Sequence, residues 1–545
     1  MSLRTILANA CRLFTGRSGQ EQDAVLPKVI VVSTRVPAPD KPISGGMAPA
    51  VRDALAGVNE KIWFGLRNGR PPKAGDLSAE FASAVKIDEH GWSYEKDGID
   101  VVELSSEGHE WDGHYNKFSN GFLWPLCHDR PDLTEVPDDA AKKANYILNE
   151  RLAIQIRDEL AKDNDTQTPI WVHDYHHMNL PTLLREQGVT NPVIFFNHIP
   201  LPEDKTLQEL GEEGAREFKE YIGGLRDADA VMLQSSETAN RFMKLIGKTA
   251  PKDPLDVYET TTLDVDGRDL VVGNFPISIN VEKIEGFANL GGLSDDANTK
   301  ELVDQLKAET IFIEFCRADY SKGVTDRIKA FRKLIEDHPE LKGQAQLVVG
   351  AEPTRTDIQA YIDYANEVKA LAKELNDQED LHVDGAPPVV FLNKTIPLSD
   401  LVQLFRNDEN KPGQRKIATI TAWRDGMNLV CKEAMMAQDP DNAGVLVLSY
   451  GAGAAHEEGF AKHALRYTPD RNDPGELAQT MYQAILMPQE EANARAKAGQ
   501  AHIREYDLDK WARETISVME KVARSRNVPA IEQDNQPPQQ DVQFG

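Results

Sequence analysis

Two segments in the second half of the chain place charged side chains beside turn residues. The segment FCRADYSKG (315–323) carries Arg317 and Lys322, and the segment RDGMNLVCKE carries Asp425 and Glu433. Arg offers a planar fork of donors and Lys a compact charge, so the two can converge on one diphosphate. Carboxylates accept hydrogen bonds from hydroxyl groups. These residue types indicate a site for a phosphorylated, hydroxylated ligand; the alternative is a set of solvated surface charges.

An Arg-Asp-Gly turn joins the apolar run KIATITA to a helical pattern in the second of these segments. A turn followed by a helix N-terminus presents backbone N–H groups that have no partner inside the helix, and this geometry binds anions. We therefore expect the N–H groups of Met427, Asn428 and Leu429 to face a sugar or a phosphate. Asp425 would accept from sugar hydroxyls, and Glu433 from a ribose diol. An ordinary strand-to-helix connection is the alternative.

Polar side chains also follow two apolar runs of the first half. Asp174 lies in WVHDYHHMNLP (171–181), and His198 lies in FFNHIP (195–200). The carboxyl ends of neighbouring parallel strands meet at one edge of a sheet, where open α/β sheets bind ligands, so both residues are predicted to face a cleft. A zinc site at the histidines of the first segment is the alternative. Their spacing matches no standard ligand pattern, and no metal is predicted.

Three further motifs carry weaker signals. The segment YNKFSNGFLWP (115–125) is rich in aromatic and amide groups, which is typical of sugar recognition and equally of a packed loop. The pair Asp227-x-Asp229 resembles a metal-binding motif, but it precedes the run AVMLQS and is interpreted as a polar connector. Gly46 follows Ser44 and Gly45 in a turn that would let the backbone approach a ligand closely.

Apolar runs that alternate with helical patterns must position these residues. Near-continuous Val, Ile and Leu runs are typical of parallel strands that are buried on both faces. The sequence therefore predicts an α/β protein with two successive doubly wound, Rossmann-like units. The runs are KVIVVS, PIWVHD, PVIFFNH, AVMLQS and LVVGNFP in the first half, and TIFIEF, AQLVVG, PVVFL, KIATITA and GVLVLS in the second.

The predicted organisation has five parts. Residues 1–26 are predicted to form an N-terminal extension, 27–280 the first Rossmann-like domain and 281–500 the second. Residues 501–527 are predicted to form a C-terminal helix that crosses back to the first domain. The Pro/Gln-rich residues 528–545 are predicted to be a disordered tail.

Composition excludes several classes of protein. The formal net charge of −27 offers no broad basic face, so nucleic acid is not an expected partner. A chain this acidic that binds phosphates needs a few locally placed cations. The four cysteines lie far apart and form no CxxC pair, which fits a reducing, cytoplasmic location. No apolar run approaches the roughly 18 residues that span a membrane.

Taken together, the motifs resemble the trehalose-6-phosphate synthase family, whose members are retaining glycosyltransferases with the two-domain GT-B fold. RADYSKG and RDGMNLVCKE resemble signature segments of that family, and YNKFSNGFLWP, WVHDYHHMNLP and FFNHIPLP match further blocks. The likeness extends from about residue 28 to about residue 525. Two departures lie on the acceptor side: Thr34 stands where the family usually has Asn, and the region 203–245 lacks two of its usual patterns.

The resemblance implies a role for each site residue. Arg317 and Lys322 would hold the donor diphosphate. The residues implied at the reaction centre are Arg317, Lys322, Asp174 and His198; those implied to bind the donor are Gly46, Asp425, Met427, Asn428, Leu429 and Glu433; those implied to bind the acceptor's phosphate are Arg35, Tyr115, Trp124 and Arg355 (in EPTRTDIQAY). No cofactor and no metal are implied. The implied mechanism is front-face attack, in which the leaving diphosphate takes the acceptor's proton.

The implied substrates are a nucleoside-diphosphate glucose, with UDP-glucose favoured, and glucose-6-phosphate. A homo-oligomer, a separate phosphatase for the product, trehalose-6-phosphate, and a role in osmoprotection are further expectations. One alternative keeps the donor and changes the acceptor to another phosphorylated molecule such as glycerol-3-phosphate. Another is a catalytically silent paralogue that binds sugar phosphates and regulates a partner; the presence of both donor cations and both donor carboxylates disfavours it.

Overall fold

The computed structural model describes residues 26–38, 47–69, 85–87, 91–407, 411 and 413–526. Residues 1–25 of the predicted extension, Gly46 and the predicted tail lie outside the described residues. The strands are β1 (Lys28–Val32), β2 (Glu60–Asn68), β3 (Lys86–Ile87), β4 (Gly91–Lys96), β5 (Ile99–Ser106), β6 (Ile170–His173), β7 (Val193–Asn197), β8 (Ala230–Leu233), β9 (Thr260–Val265), β10 (Arg268–Asn274), β11 (Thr310–Arg317), β12 (Ala345–Glu352), β13 (Val389–Leu392), β14 (Arg415–Ile420), β15 (Val445–Ser449) and β16 (Leu465–Tyr467).

Helices connect most of these strands and cover both faces of the sheets. They are α1 (Met47–Ala54), α2 (Gly108–Trp111), a π-helix (Asp112–Leu123), α3 (Trp124–Cys127), α4 (Asp139–Ala161), α5 (Leu180–Glu186), α6 (Asp204–Leu210), α7 (Glu212–Gly223), α8 (Ser236–Leu245), α9 (Val281–Ala288), α10 (Ala297–Val303), α11 (Val324–Asp337), α12 (Gln359–Asn376), α13 (Leu398–Phe405), α14 (Leu429–Ala437), α15 (Glu458–Ala461), α16 (Gly475–Leu486), α17 (Gln489–Glu505) and α18 (Leu508–Arg526). Short 3₁₀ turns, such as Tyr320–Lys322, lie between them.

The first sheet has a parallel centre and antiparallel edges. Within the described ranges, its strand order is β3-β4-β5-β2-β1-β6-β7-β8-β10-β9. The pairs from β5 through β10 are parallel, whereas β3–β4, β4–β5 and β9–β10 are antiparallel. Strands β1, β6, β7 and β8 are buried along their whole length, as their apolar runs predict. The antiparallel strands at the edges were not predicted.

The second sheet is parallel throughout the part of the chain that the structure describes, with the order β13-β12-β11-β14-β15-β16. The strand order reverses at β11, which pairs with β12 on one side and β14 on the other. A crevice opens at the carboxyl ends of the strands at such a reversal. The segments FCRADYSKG and RDGMNLVCKE follow β11 and β14, so the topology brings them to this crevice.

Segments outside the sheets join the two halves. The polar, Gly-containing stretch predicted as the domain break includes two helices, α9 and α10. The last helix, α18, packs against α1 of the first half. Its Trp511 is fully buried, with its ring 5.7 Å from that of Trp171 and 5.4 Å from that of Phe196, on β6 and β7. The helix α18 is thus part of the core beneath the first sheet.

Of the helices in the described ranges, none combines the length and the apolar character that crossing a membrane requires.

We predict that Trp511→Ala destabilises the first half of the protein by about 3–5 kcal/mol, because it removes a fully buried aromatic ring and leaves a cavity. The measurement is urea unfolding followed by circular dichroism. The matched control is Leu486→Ala, since 61% of the Leu486 side chain is exposed. Equal unfolding midpoints for the two variants would contradict the role assigned to α18.

Candidate active site

The carboxyl edges of the two sheets meet in a backbone contact. A Cβ atom on Gly426 would lie 1.8 Å from the carbonyl oxygen of His198, and a Cβ on Gly453 would lie 1.7 Å from the carbonyl oxygen of Gly426. Separations this short leave no room for any side chain, so the three backbone segments are stacked directly on one another. The residues that follow β7 and those that follow β14 therefore line one site.

Two loops of the second half are bonded to each other beside this contact. Lys322 and Asp425 form an ion pair, and both side chains are largely buried. The backbone N–H of Trp423 donates to the carbonyl oxygen of Ser321 at 2.8 Å. The Thr421 hydroxyl lies 3.1 Å from the carbonyl oxygens of both Lys322 and Gly323. The cation of the first loop and the carboxylate of the second are thus held as one unit.

A buried ion pair supports these loops from behind. Glu314 on β11 and Arg327 on α11 are both fully buried and pair with each other. Burial raises the pKa of Glu314, and the charge of Arg327 opposes that rise. Arg327 also donates to the Thr421 hydroxyl at 3.1 Å, and Glu314 accepts from the backbone N–H of Thr421 at 3.2 Å. The pair therefore connects β11, α11 and the end of β14.

Asn428 caps the N-terminus of α14, and the arrangement of this N-terminus favours binding of an anion. Asn428 has a φ of 70°, its side chain accepts from the N–H of Cys431, and its amide donates to Asp425 at 3.2 Å. These bonds fix the first turn, whose leading N–H groups have no partner inside the helix. Glu433 lies one turn further along, and burial raises the pKa of its carboxyl to about 7. The predicted donor residues from Asp425 to Glu433 thus surround one helix N-terminus.

Asp174 occupies a strained position at the end of β6. Its φ of 74° and ψ of 165° are rare for any residue with a side chain. Its carboxylate accepts from the N–H of His198 at 3.3 Å. Burial raises the pKa of Asp174 to about 6, although the backbone N–H groups of Tyr175 and His198 and the charge of Arg355 oppose the rise. The carboxylate therefore faces the junction between the two halves.

The ring of His198 is buried and neutral. Ile277 N–H donates to the amide oxygen of Gln234, which leaves the amide nitrogen of Gln234 to donate to Nδ1 of His198 at 3.2 Å. Nε2 of His198 therefore carries the hydrogen and donates to Nδ1 of His173 at 3.0 Å. Burial lowers the pKa of His198 to about 3, so the ring carries no charge near neutral pH. His198 contributes shape and its backbone rather than charge.

A cationic pocket lies across the junction, built around Arg355. Its guanidinium lies 4.0 Å from the ring centre of Trp124, and it donates to Asp319 at 2.9 Å and to Tyr361 at 2.8 Å. Burial opposes ionisation of Asp319, but Arg355 and Arg317 outweigh it and hold the pKa of Asp319 well below its usual range. Arg317 lies over the same Trp124 ring, 5.3 Å from its centre. The indole is thus shared by one predicted acceptor cation and one predicted donor cation.

Arg35 and Tyr115 form the outer wall of this pocket. Arg35 donates to the Tyr115 hydroxyl at 2.9 Å, and the Tyr115 ring stacks on that of His176 at 5.8 Å. Tyr115 lies in the π-helix, which continues into α3 at Trp124. A loop was the structural alternative for this segment, and that alternative is wrong. π-Helical turns are rare and occur often at functional sites.

The structure brings together the predicted residues that it describes, and it adds some that the motifs did not reveal. The predicted residue outside the described ranges is Gly46. Asp319 and Tyr175 were missed; the Tyr175 hydroxyl donates to Asn120 at 2.9 Å and lies 3.4 Å from Arg355. Gly453 and Gln234 were missed as well, because their roles depend on contacts between distant segments.

The candidate metal motifs have other partners. Across the described ranges, no three His, Cys, Asp or Glu side chains are placed to hold one metal ion. His177 is bonded to Thr34 at 3.0 Å and to Asn149 at 2.7 Å. Asp227 accepts from Thr182 at 2.6 Å, and Asp229 accepts from Arg185 at 2.8 Å. Both carboxylates of the Asp-x-Asp pair thus have protein partners, and its interpretation as a polar connector stays a prediction.

The geometry can hold an elongated molecule with anionic groups at two places. One place is the Arg317, Lys322 and α14 N-terminus cluster, and the other is the Arg35, Arg355 and Trp124 pocket. The charges of Arg355 and Arg317, one from each place, both act on Asp174, which accepts from the N–H of His198 beside the Gly426 contact. This arrangement suits the transfer of a group from a diphosphate on one side to an acceptor on the other, because both are positioned before the chemistry occurs.

Comparisons with known proteins agree with this geometry. The family model of Glycosyltransferase family 20 matches residues 44–521. The trehalose-6-phosphate synthase of Cronobacter sakazakii is 30% identical over 505 residues, which cover 91% of this chain and 96% of that protein.

Two solved structures with bound molecules share the fold. One, from E. coli and bound with UDP-2-fluoro glucose, has a TM-score of 0.74 and 28% identity, and the match covers 91% of this chain and 99% of that one. The other is an alpha,alpha-trehalose-phosphate synthase (UDP-forming) from Burkholderia xenovorans in complex with glucose-6-phosphate. It has a TM-score of 0.74 and 29% identity, with coverage of 90% and 100%. The two domains of this chain therefore form a GT-B fold.

We predict that Gly426→Ala opens the junction between the two sheet edges. The added methyl group would meet the His198 carbonyl at 1.8 Å, whereas an ordinary contact begins at 3.4 Å. The backbone amides of residues 195–201 and 421–428 should then exchange hydrogen at least about tenfold faster. Each tenfold increase corresponds to a free energy of local opening that is lower by about 1.4 kcal/mol. The measurement is hydrogen–deuterium exchange followed by mass spectrometry.

The control is Gly223→Ala, because a Cβ at Gly223 meets nothing within 4 Å. Unchanged exchange in both segments of the Gly426 variant would show that the close contact is not required to keep the edges together.

Proposed function

Because the chain belongs to Glycosyltransferase family 20, we propose that it transfers glucose from a nucleoside-diphosphate glucose to glucose-6-phosphate with retention of configuration, giving trehalose-6-phosphate. One observation supports this function. The Lys322–Asp425 ion pair, the N-terminus of α14 and the Arg355–Trp124 pocket are brought together where the two sheet edges touch at Gly426. UDP-glucose is the proposed donor, supported by the E. coli relative bound with UDP-2-fluoro glucose.

The donor side is suited to stabilise a departing diphosphate. Lys322 uses one of its three N–H donors on Asp425, and this bond holds the ammonium group in place while two donors remain for a diphosphate. Arg317 keeps 43% of its side chain exposed and faces the same crevice from the end of β11. Positive charge fixed where negative charge develops is a large contribution to catalysis, because it needs no rearrangement during the reaction.

The acceptor side is suited to hold a sugar phosphate. Arg355 and Arg35 supply cationic forks on either side of Trp124 and Tyr115, and planar forks bind phosphate oxygens in pairs. Asp174 lies between the two sides and can accept from a sugar hydroxyl. In the front-face mechanism that we propose, the acceptor hydroxyl attacks on the side from which the diphosphate leaves, and a leaving oxygen takes its proton.

The test of the function is nucleotide release by the purified chain. UDP-, ADP- and GDP-glucose are each offered with glucose-6-phosphate or glycerol-3-phosphate, with and without a chelator, and the product linkage is determined by NMR. We expect an α,α-1,1-linked disaccharide phosphate from UDP-glucose and glucose-6-phosphate, unaffected by the chelator, because we propose that no metal or other cofactor takes part. Turnover with glycerol-3-phosphate but not with glucose-6-phosphate would identify glycerol-3-phosphate as the acceptor. Binding of the donor without turnover on either acceptor would favour a silent paralogue.

The cellular location, the oligomeric state and the fate of the product are further parts of the proposal. We propose a cytoplasmic homo-oligomer whose product is dephosphorylated by a separate phosphatase. Light scattering of the purified chain tests the oligomer. Appearance of free trehalose in the assay above, with no phosphatase added, would contradict the separate enzyme.

We predict that Lys322→Ala lowers turnover by roughly 10²–10³-fold, because it removes a preorganised donor to the leaving diphosphate and leaves Asp425 without its partner. The measurement is the nucleotide-release rate at saturating substrates. The control is Lys342→Ala, since Lys342 is an exposed lysine that pairs with Asp380. Near-normal turnover in the Lys322 variant would refute its role.

We predict that the KM for the donor depends on pH through the carboxyl group of Glu433. Burial raises the pKa of its carboxyl to about 7, so the carboxyl becomes protonated as the pH falls through 7. The protonated form accepts fewer hydrogen bonds from a ribose diol. The KM for the donor should therefore rise several-fold between pH 8 and pH 6. In Glu433→Gln the KM should be higher and flat over the same range. An equal slope in both proteins would assign the titration to another group.

A further inference from the structure

A second polar cleft, of about 310 Å³, lies between the two domains, behind the Lys322 turn. Its walls come from the 3₁₀ turn before α11, from α11 and α12, and from two arginines, one in each half of the chain. The residues that matter for its chemistry are Arg130, Tyr320, Asp326, Lys329, Tyr364 and Arg471. None of them belongs to the site described above.

Two charged groups in this cleft have no hydrogen-bonding partner in the described part of the protein. Nη2 of Arg471 is buried without a partner, while the flat side of its guanidinium lies 4.0 Å from the ring centre of Trp423. Asp326 makes no hydrogen bond or ion pair there, and burial raises its pKa to about 6. Burial also lowers the pKa of Arg471 to about 10. A buried polar atom without a partner is costly, so Nη2 of Arg471 is suited to a ligand, and the partly buried carboxylate of Asp326 in the same cleft can accept from that ligand.

The other charges of the cleft are already paired. Arg130 binds both carboxylate oxygens of Asp132, at 2.7 and 2.6 Å, and its guanidinium lies 5.3 Å from the ring centre of Tyr320. Lys329 lies 3.6 Å from Glu367. A ligand therefore has to donate to Asp326 and accept from Arg471, which hydroxyl groups do on the same molecule.

The charge balance selects among hydroxylated ligands. The lining of the cleft has three positive side chains, Arg130, Lys329 and Arg471, and three carboxylates, Asp326, Asp363 and Glu367. It therefore offers no excess positive charge, and Arg130 is in addition paired with Asp132 outside the lining. This balance disfavours a phosphorylated sugar, which brings further negative charge. Aromatic walls, a carboxylate and a guanidinium are the groups that bind uncharged sugars, by stacking and by hydrogen bonds to hydroxyls.

We propose that this cleft binds an uncharged mono- or disaccharide, separately from the glucosyl-transfer site. Hydroxyls of the sugar donate to Asp326 and accept from Arg471, with the Tyr320 and Tyr364 side chains beside it. Tyr320 precedes Lys322 by two residues, and the Tyr364 hydroxyl accepts from the N–H of Val324 at 2.8 Å. The bound sugar thus rests against the turn that positions Lys322, while Arg130 supplies the opposite wall from the first domain.

The test is calorimetric titration of glucose and of trehalose into the full chain, with UDP and glucose-6-phosphate present at saturating concentrations. We expect one binding event for at least one of the two sugars. Asp326→Asn and Arg471→Gln should each weaken it about tenfold or more, as expected for loss of a hydrogen bond to a charged group. Both variants should keep the wild-type turnover when no uncharged sugar is added.

The control variant is Lys333→Gln on the same helix, because Lys333 is paired with Asp337 outside the cleft. The absence of heat for both sugars under these conditions, or heat that appears only when UDP and glucose-6-phosphate are left out, would overturn the proposal. Equal affinity in the wild type and in both cleft variants would overturn it as well. These outcomes do not depend on turnover, so a failure of the proposed transfer reaction would be seen separately.

Discussion

The contact between the backbones of His198 and Gly426 is the constraint on which the rest of the site depends. Donor-side residues follow β11 and β14 in one domain, and Arg35, Asp174 and His198 follow β1, β6 and β7 in the other. These groups can act on one pair of reacting atoms only if the two sheet edges touch. The hydrogen atoms of Gly426 and Gly453 allow three backbone segments to stack at distances that no larger residue permits. Catalytic geometry in this protein is therefore a consequence of close packing between domains.

Backbone strain and buried charge accompany this packing. Asp174, Arg355 and Asn428 all adopt positive φ angles, and each is a predicted site residue. Such conformations persist only where the surroundings fix them, as the Asp319 and Tyr361 bonds do for Arg355. The Glu314–Arg327 pair and the Lys432–Glu457 pair are almost completely buried and lie behind the two donor loops. Removing one partner of such a pair leaves an uncompensated charge, so these loops have little freedom to shift.

The sequence predicted ten of the parallel strands in the described ranges and missed β2, β5 and β16. The structure places the predicted donor residues that it describes near one another, and their roles stay predictions. Strands buried on both faces give continuous apolar runs, and charged residues next to glycine turns mark the strand ends. Strand β9, with the sequence TTTLDV, alternates between exposed and partly buried residues, so its apolar signal is weak and it was missed. Gly453 and Gln234 were missed because their roles arise from contacts made through the fold, which motif spacing does not encode. Asp319 was missed for the same reason, because its role is to pair with Arg355 and neutralise its charge.

The net charge of −27 and the affinity for phosphates that the site requires are compatible, because the cations are bound individually to oxygen partners. Asp425 holds Lys322, Asp319 holds Arg355, and the Tyr115 hydroxyl holds Arg35. Each partner takes one or two donors and leaves others for a phosphate, so the side chain is held in place before a phosphate arrives. The partners also spread the positive charge in a region where four bare cations would repel one another. An acidic protein can thus bind two anionic substrates side by side, since the field they experience is set by a few oriented groups within one contact distance rather than by the surface as a whole.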